Sequence, residues 1–549
     1  MNLPSRTLKS FTRKEKAALF FLIALLLLSF YKLFLSSEQK IEQSKGKIYT
    51  EGLVGEIKHI NPVFTEFSDA DRDISSLVFS GLVKYNSATG IFEEDMATHT
   101  LSEDKLTYTF TLQNEVFWHD GTEVSADDIY FTFAEVIQSP DFRNPILKSN
   151  FDGLKIEKVN ERTVSFTLSS PNSFFFSGMT VGLLPKHILG EVPVSELDIH
   201  EFNQNPIGTG PYKVTGPYSV DEQGNSTISL EVFPEYYGKE HNLKNIRFIA
   251  FPTITELIAN QDIWQGAARI RQSLLNEIEI EESSIYRYEL PQYTALFLNT
   301  DSEKLSKNKM RLGISKAIDK EEILAASGHK VRIDTPLLEL DQEGWIHTKN
   351  LDESQGALYD AGWSLKEGNT FRTNEDGEEL TIRLVRRDFS GSNEPQEETA
   401  DITAKTIKSQ LAAVGIDVII ETYPMEQLQT IIANRDYDMM LYGQSLGYNL
   451  DTFSYWHSSQ ANSEGLNLSN YQNAKADFLI ESIRGNFDPE EHQALLNDLG
   501  EIIVEDVPAV FLYTPSYYYV TCPKLSGIKI ENLLLPVDRF ANIAEWSIN

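Results

Sequence analysis

Alternating and helical hydrophobic periods are interleaved along most of the chain. Residues 106–112 (LTYTFTL) alternate threonine with apolar or aromatic side chains, which predicts a half-buried strand. The run TVSFTL at 163–168 predicts a second one. Between them, Ser125 to Asp128 has the spacing of a capping box and opens an apolar series, Ile129, Phe131, Phe133, Val136 and Ile137, as a helix would. Helical periods recur over 308–326, 397–414, 425–434 and 490–505. No fixed-period repeat is present, which argues against a solenoid. The elements predict a mixed α/β or α+β chain without a simple βαβ series.

One segment breaks this pattern. Ala17 to Leu35 reads AALFFLIALLLLSFYKLFL, with no charge before Lys32. As a helix it would reach about 28 Å, close to the hydrocarbon thickness of a bilayer. Residues 1–16 hold Arg6, Lys9, Arg13, Lys14 and Lys16 against Glu15 alone. Basic flanks stay in the cytoplasm, so the bulk of the chain is expected outside. No small-x-small cleavage site follows the apolar core, so we read an uncleaved signal anchor, with a cleaved signal peptide as the rival. Residues 36–47 (SSEQKIEQSKGK) lack periodicity and read as a tether.

Composition narrows the function classes. The 549 residues are enough for several domains, and 41% hydrophobic residues suffice to fold them. A net charge of −33 with no basic stripe argues against a nucleic-acid partner. Cys522 is the single cysteine, so neither an intramolecular disulfide nor a thiolate metal cluster is available.

Catalytic patterns do not emerge. Asp69, Asp71 and Asp73 alternate like the start of a calcium loop, but Ile74 stands where the loop needs glycine and Ser80 where it needs glutamate. A solvated acidic loop is the expectation there. Gly208-Thr209-Gly210-Pro211 is followed by a strand-like YKV rather than a helix, so it reads as a tight turn and not a phosphate cradle. His119 beside Asp120 reads as turn stabilisation, since no nucleophile elbow or paired-histidine zinc helix accompanies it. Neither a cofactor nor a metal is implied. The run Tyr448 to His457 (YNLDTFSYWH) is different: rings alternate with hydrogen-bonding groups, a composition suited to a ligand pocket or to a packed loop.

Taken in order, several segments resemble the family 5 extracellular solute-binding proteins, the peptide and oligopeptide receptors of ABC importers. They are Ile60-Asn61-Pro62, LVFSGLVKYN (77–86), LSEDKLTYTFTLQNEVFWHDGTEVSADDIYFTF (101–133), LLPKHIL (183–189), NPIGTGPYKV (205–214), MRLGISKAIDKEEIL (310–324), YDAGW (359–363), LAAVGIDV (411–418) and EDVPAVFLY (505–513). The resemblance implies a mixed α/β, two-lobed periplasmic-binding-protein-like fold with an extra inserted domain, here preceded by one N-terminal transmembrane helix. Its expected boundaries are a basic cytoplasmic segment at 1–16, the anchor at 17–35 and the tether at 36–47. Lobe I would comprise 48–76, 193–291 and 506–549, the inserted domain 77–192, and lobe II 292–505. Hinge crossings are expected near Tyr293 to Asn299 and near Val507 to Thr514.

Such a receptor binds a peptide or other small solute without chemical change, works as a monomer, and needs ABC permease and ATPase subunits on separate chains. A ligand sensor coupled to a membrane signalling partner, or an anchored hydrolase with a carboxylate pair, are the alternatives. Tyr293, Tyr448 and Trp456 are expected as aromatic walls, Asn449 as a main-chain hydrogen-bonding group and Asp451 as a charge. In several family members an acid shortly after a Gly-Trp meets the ligand's α-amino group. Here Gln444 follows Gly443, so either Asp451 serves from a shifted position or the ligand is not held by a free amino terminus. The family's Gly-Glu-x-Asp is also replaced, with Trp264 and Gln265 in its place.

Overall fold

The computed structural model describes residues 48–548 apart from 66, 67, 145, 146, 149, 280–283 and 390–395. The predicted anchor at 17–35, its basic flank and the tether lie outside the described residues, among which no helix is long and apolar enough to cross a membrane.

Two large sheets organise the molecule. The first has eight strands, in the order Ile285–Glu289, Ser516–Thr521, Gly266–Ile270, Ile48–Val54, Asn245–Phe251, Ser226–Val232 and Tyr212–Val214, with Ser219–Val220 added beside Ser226–Val232. Ile48–Val54 runs parallel to both of its neighbours. The second has six strands, in the order Val331–Arg332, Ala509–Thr514, Gln292–Leu298, Met439–Ser445, Thr381–Arg387 and Asp417–Tyr423. Apolar clusters cover both of its faces. Leu296, Leu298 and Leu384 face one cluster, while Tyr293, Phe297 and Val385 face the other, as expected of nearly continuous apolar strands buried on both sides.

Residues 97–167 contribute a separate four-stranded antiparallel sheet, Ala97–Leu101, Thr107–Leu112, Thr163–Thr167 and Lys155–Asn160. Its alternation is the one read from sequence: Tyr108, Phe110 and Leu112 point inward and the threonines between them outward. Ser125 caps the helix Ala126–Tyr130 with a reciprocal Asp128 contact, and the helix continues as a wider turn over Phe131–Ile137. This sheet and the eight-stranded one share a single apolar core.

Two local expectations are corrected. The period over 308–326 is two helices, Asn308–Ala317 and Lys320–Ser327, because Asp319 caps the second by accepting from Glu322 N. The acidic triplet is not a solvated loop. Ser68 caps a helix over Asp69–Val78, and Asp71 and Asp73 are buried within it. Asp73 accepts from both Arg269 and Arg539, and Arg539 also binds Glu51 at 2.7 Å. These guanidiniums hold the Asp73 carboxyl well below its ordinary range despite burial. The ions tie the helix to the first strand, to Gly266–Ile270 and to the carboxyl-terminal segment.

Gly208 and Gly210 form the expected close turn. Gly210 N donates to Val78 O at 2.8 Å, and a Cβ on Gly208 would collide with the same carbonyl. His119 braces the turn from the other side: its Nδ1 accepts from Gly208 N at 3.1 Å and its Nε2 donates to Gly210 O at 3.0 Å.

Candidate functional site

The two large sheets exchange two strands at one place. The chain leaves the first sheet after Ile285–Glu289, passes Leu290-Pro291 and enters the second as Gln292–Leu298. It returns through Ala509–Thr514, Pro515 and Ser516–Thr521. The two segments pair antiparallel on each side of this passage. Proline lacks the N–H that would continue the ladder, so Pro291 and Pro515 mark where it is interrupted. Thr514 Oγ1 donates to Gln292 O at 2.5 Å, and Gln292 Nε2 donates to Tyr517 OH at 2.9 Å, bracing the crossing.

Beside this passage the parallel strands Thr381–Arg387 and Met439–Ser445 end. The carboxyl ends of such strands are where ligands collect in open α/β sheets. The loop 446–452 starts there, fastened to the crossing by Leu446 N donating to Pro291 O at 2.8 Å. Asn449 Oδ1 accepts from Asp451 N at 3.0 Å, so this side chain shapes the loop.

The candidate residues fall into three settings. Tyr293 and Trp456 are only 1% exposed and stand behind the loop. Trp456 Nε1 donates to Tyr293 OH at 3.3 Å, and that hydroxyl donates to Gln444 Oε1 at 2.5 Å. Asp451 is buried and pairs with Arg484 Nε at 2.9 Å, while its other oxygen accepts from Phe453 N at 3.0 Å. Burial raises its carboxyl, against the pull of Arg484. Arg484 in turn lies over the Phe453 ring at 4.4 Å.

Tyr448 points the other way. Its hydroxyl donates to Asp538 Oδ1 at 2.5 Å, and its ring lies 5.7 Å from those of both Tyr85 and Phe92. Asp538 is 5% exposed, and its Oδ2 accepts from Leu534 N and Leu535 N. Burial pushes its carboxyl up to about 6. A second seam lies where Ser173 N donates to Arg484 O at 2.7 Å and Phe174 packs on the apolar cluster that includes Tyr293.

Among the described residues, no group of three or more His, Cys, Asp or Glu is placed to hold a metal ion. A polar recess of about 520 Å³, lined by Asn299, Asp301 and Arg435 among others, sits at the opposite end of Gln292–Leu298 from the passage. The charges at its rim meet each other, as in Arg383–Asp436 at 2.7 Å.

Comparison with known proteins decides the family. The description "Bacterial extracellular solute-binding proteins, family 5 Middle" matches residues 92–465. The chain belongs to this family. The family 5 chain is 26% identical to the oligopeptide-binding protein AppA of Bacillus subtilis (strain 168), over 97% of its own length and 99% of that protein. It is 23% identical to a dipeptide-binding protein of Escherichia coli (strain K12), covering 89% and 93% of the two chains. Among solved structures, AppA in complex with a nonapeptide superposes with a TM-score of 0.70 at 25% identity, covering 91% of this chain and 98% of that one. NikZ from Campylobacter jejuni in complex with Ni(L-His) gives 0.71 at 28% identity, with coverages of 91% and 99%. AppA and the Escherichia coli relative are named as binding proteins, not enzymes.

Three residues of this candidate site are not singled out by the sequence. Asp538 lies in PVDRF and Arg484 in a helix, with no local signature, and Gln444 stands out only as a departure from the family's Gly-Trp. Their roles come from partners distant in the chain.

Proposed function

We propose that this protein is a membrane-anchored extracytoplasmic receptor that captures peptides or similar small solutes by closing its two lobes, and delivers them to an ABC importer. The observation that carries the reading is the double passage at Pro291 and Pro515, with the loop 446–452 beside it, in a chain of a solute-binding family. Two bodies joined by a pair of narrow strands can rotate about them. A guest touching both bodies favours the closed arrangement only by its extra contacts there.

A bound nonapeptide in one relative and a nickel–histidine complex in another support a guest of peptide or small-chelate size. Peptide main chains offer hydrogen bonds common to all sequences, so one cleft can serve many of them. In this reading Asn449 orders the loop facing the guest, and Tyr293 and Trp456 give that wall its rigidity. Asp451, already matched by Arg484, supplies structure unless a guest's ammonium displaces that partner. The anchor is the apolar run 17–35, and the permease and ATPase are other chains.

Mass spectrometry of small molecules retained by purified residues 46–549 tests the reading directly. A population of peptides released on denaturation is expected. Retention of nothing, with no change in melting temperature across di-, tri- and nonapeptides, would refute the peptide class.

A further inference from the structure

We infer that Tyr448 and Asp538 form a closure latch that sets the affinity for every guest without choosing among guests. The inference rests on the receptor reading above, but its subject is a contact made entirely of protein. Tyr448 belongs to the loop after Met439–Ser445, on the six-stranded body. Everything it meets belongs to the other half: Asp538 at 2.5 Å, and the rings of Tyr85 and Phe92 at 5.7 Å.

Both sides of the contact are pre-arranged. The loop side is tied to the passage through Leu446 N and Pro291 O, and turned by Gly447 at φ 57°. On the receiving side, Asp538 is aimed by the amides of Leu534 and Leu535. The hairpin carrying Tyr85 and Phe92 is fixed to the same segment, where Tyr85 OH donates to Asn532 O at 2.6 Å and Asn532 Nδ2 to Ser87 O at 3.0 Å. Each oxygen of Asp538 has its donor, so the socket is complete once Tyr448 enters.

A guest contributes no atom to this contact, and the contact exists only when the halves meet. It therefore multiplies the closed population by one factor whatever the cleft holds, and apparent affinity scales with that population. A wall residue would behave differently, changing each guest's affinity according to what that guest places against it.

Tyr448→Phe tests this, because it removes the hydroxyl and keeps the ring. Titration calorimetry with a dipeptide, a tripeptide and a nonapeptide is expected to show all three dissociation constants raised by one common factor of about ten, as for a hydrogen bond to a charged group. Small-angle scattering of the guest-free variant is expected to give a larger radius of gyration than the unaltered protein. Phe92→Leu, made on the receiving side, should act in the same sense and guards against a loop-specific folding defect. Unequal factors among the peptides, or guest-free scattering that neither variant alters, would overturn the latch. If the unaltered protein bound none of the peptides, the receptor reading would fail for that class, while the scattering would still decide the latch.

Discussion

At the scale of single residues, the turn at Gly208 shows how a sequence signal can be read correctly in kind while its cause stays hidden. A Gly-Thr-Gly-Pro run announces a tight turn. It does not announce that the turn lies against the last carbonyls of the helix Asp69–Val78, where any side-chain carbon at Gly208 would strike Val78 O. The obstacle is backbone on both sides, so relief requires moving the helix end or the turn. Gly208→Ala is therefore expected to lower the unfolding free energy by about 1–3 kcal/mol, the usual range for overpacking a tight site. Gly216→Ala, whose new carbon would meet nothing within 4 Å, serves as the control and should change urea midpoints little. Equal midpoints for the two variants would show that the turn yields more easily than its contacts indicate. The same distance in sequence conceals Asp73, whose acidic neighbours suggest solvent. Its partners Arg269 and Arg539 stand 196 and 466 positions away.

At the scale of elements, regular periods were legible and terminations less so. Runs near 397–414, 425–434 and 490–505 became the helices Gln396–Ala412, Met425–Asn434 and Pro489–Asp506. The last is instructive at both ends. Asp488 accepts from Glu490 N and Glu491 N at 3.0 Å each and so caps the first turn. The other end has no glycine: Val507 takes the left-handed conformation at φ 49°, unusual for a β-branched residue. Arg311, from a distant helix, offsets that choice by donating to Asp506 O, Val507 O, Leu305 O and Ser306 O. A cation at a helix carboxyl end also meets the negative pole of its dipole. Arg311 directs these hydrogen bonds to main-chain carbonyls, so the carbonyls depend on it and it on them. Arg311→Ala leaves several of them buried without donors, and a loss of about 3 kcal/mol in urea unfolding is expected. Arg311→Lys, with fewer and differently placed donors, should recover only part of that. Faster amide exchange confined to the last turn of Pro489–Asp506 would accompany both. The candidate site is legible only in part: the aromatic run at 448–457 falls on the loop beside the crossing, but the direction each side chain takes depends on Asp538, Arg484 and Gln444.

At the scale of the whole molecule, stability is expected to respond to acid mainly through histidines. His119, His241, His329 and His347 are each held down to about 4 by burial. The causes are concrete. A proton on His119 Nδ1 would face the Gly208 N–H it now accepts from. His329 is stacked on Tyr513 at 3.9 Å, and His347 Nδ1 is buried without a hydrogen-bond partner. For each, the unfolded chain takes up its proton near pH 6.5 and the folded chain only near 4. Between those values the unfolded state binds more protons, so stability falls as pH falls. Asp538, raised to about 6, works in the opposite sense, since its folded form takes up a proton first, but only below that pH. Other buried carboxyls raised by burial, such as Glu51 and Asp95, also oppose the histidines as they protonate. From pH 7 to 5 four histidines act against Asp538 and these carboxyls, and the melting temperature of guest-free residues 46–549 is expected to drop. His329→Phe, which keeps a ring against Tyr513 and removes the titrating nitrogens, should drop less over the same interval. A melting temperature that stays level or rises from pH 7 to 5 would mean that the buried carboxyls, not the histidines, govern the acid response.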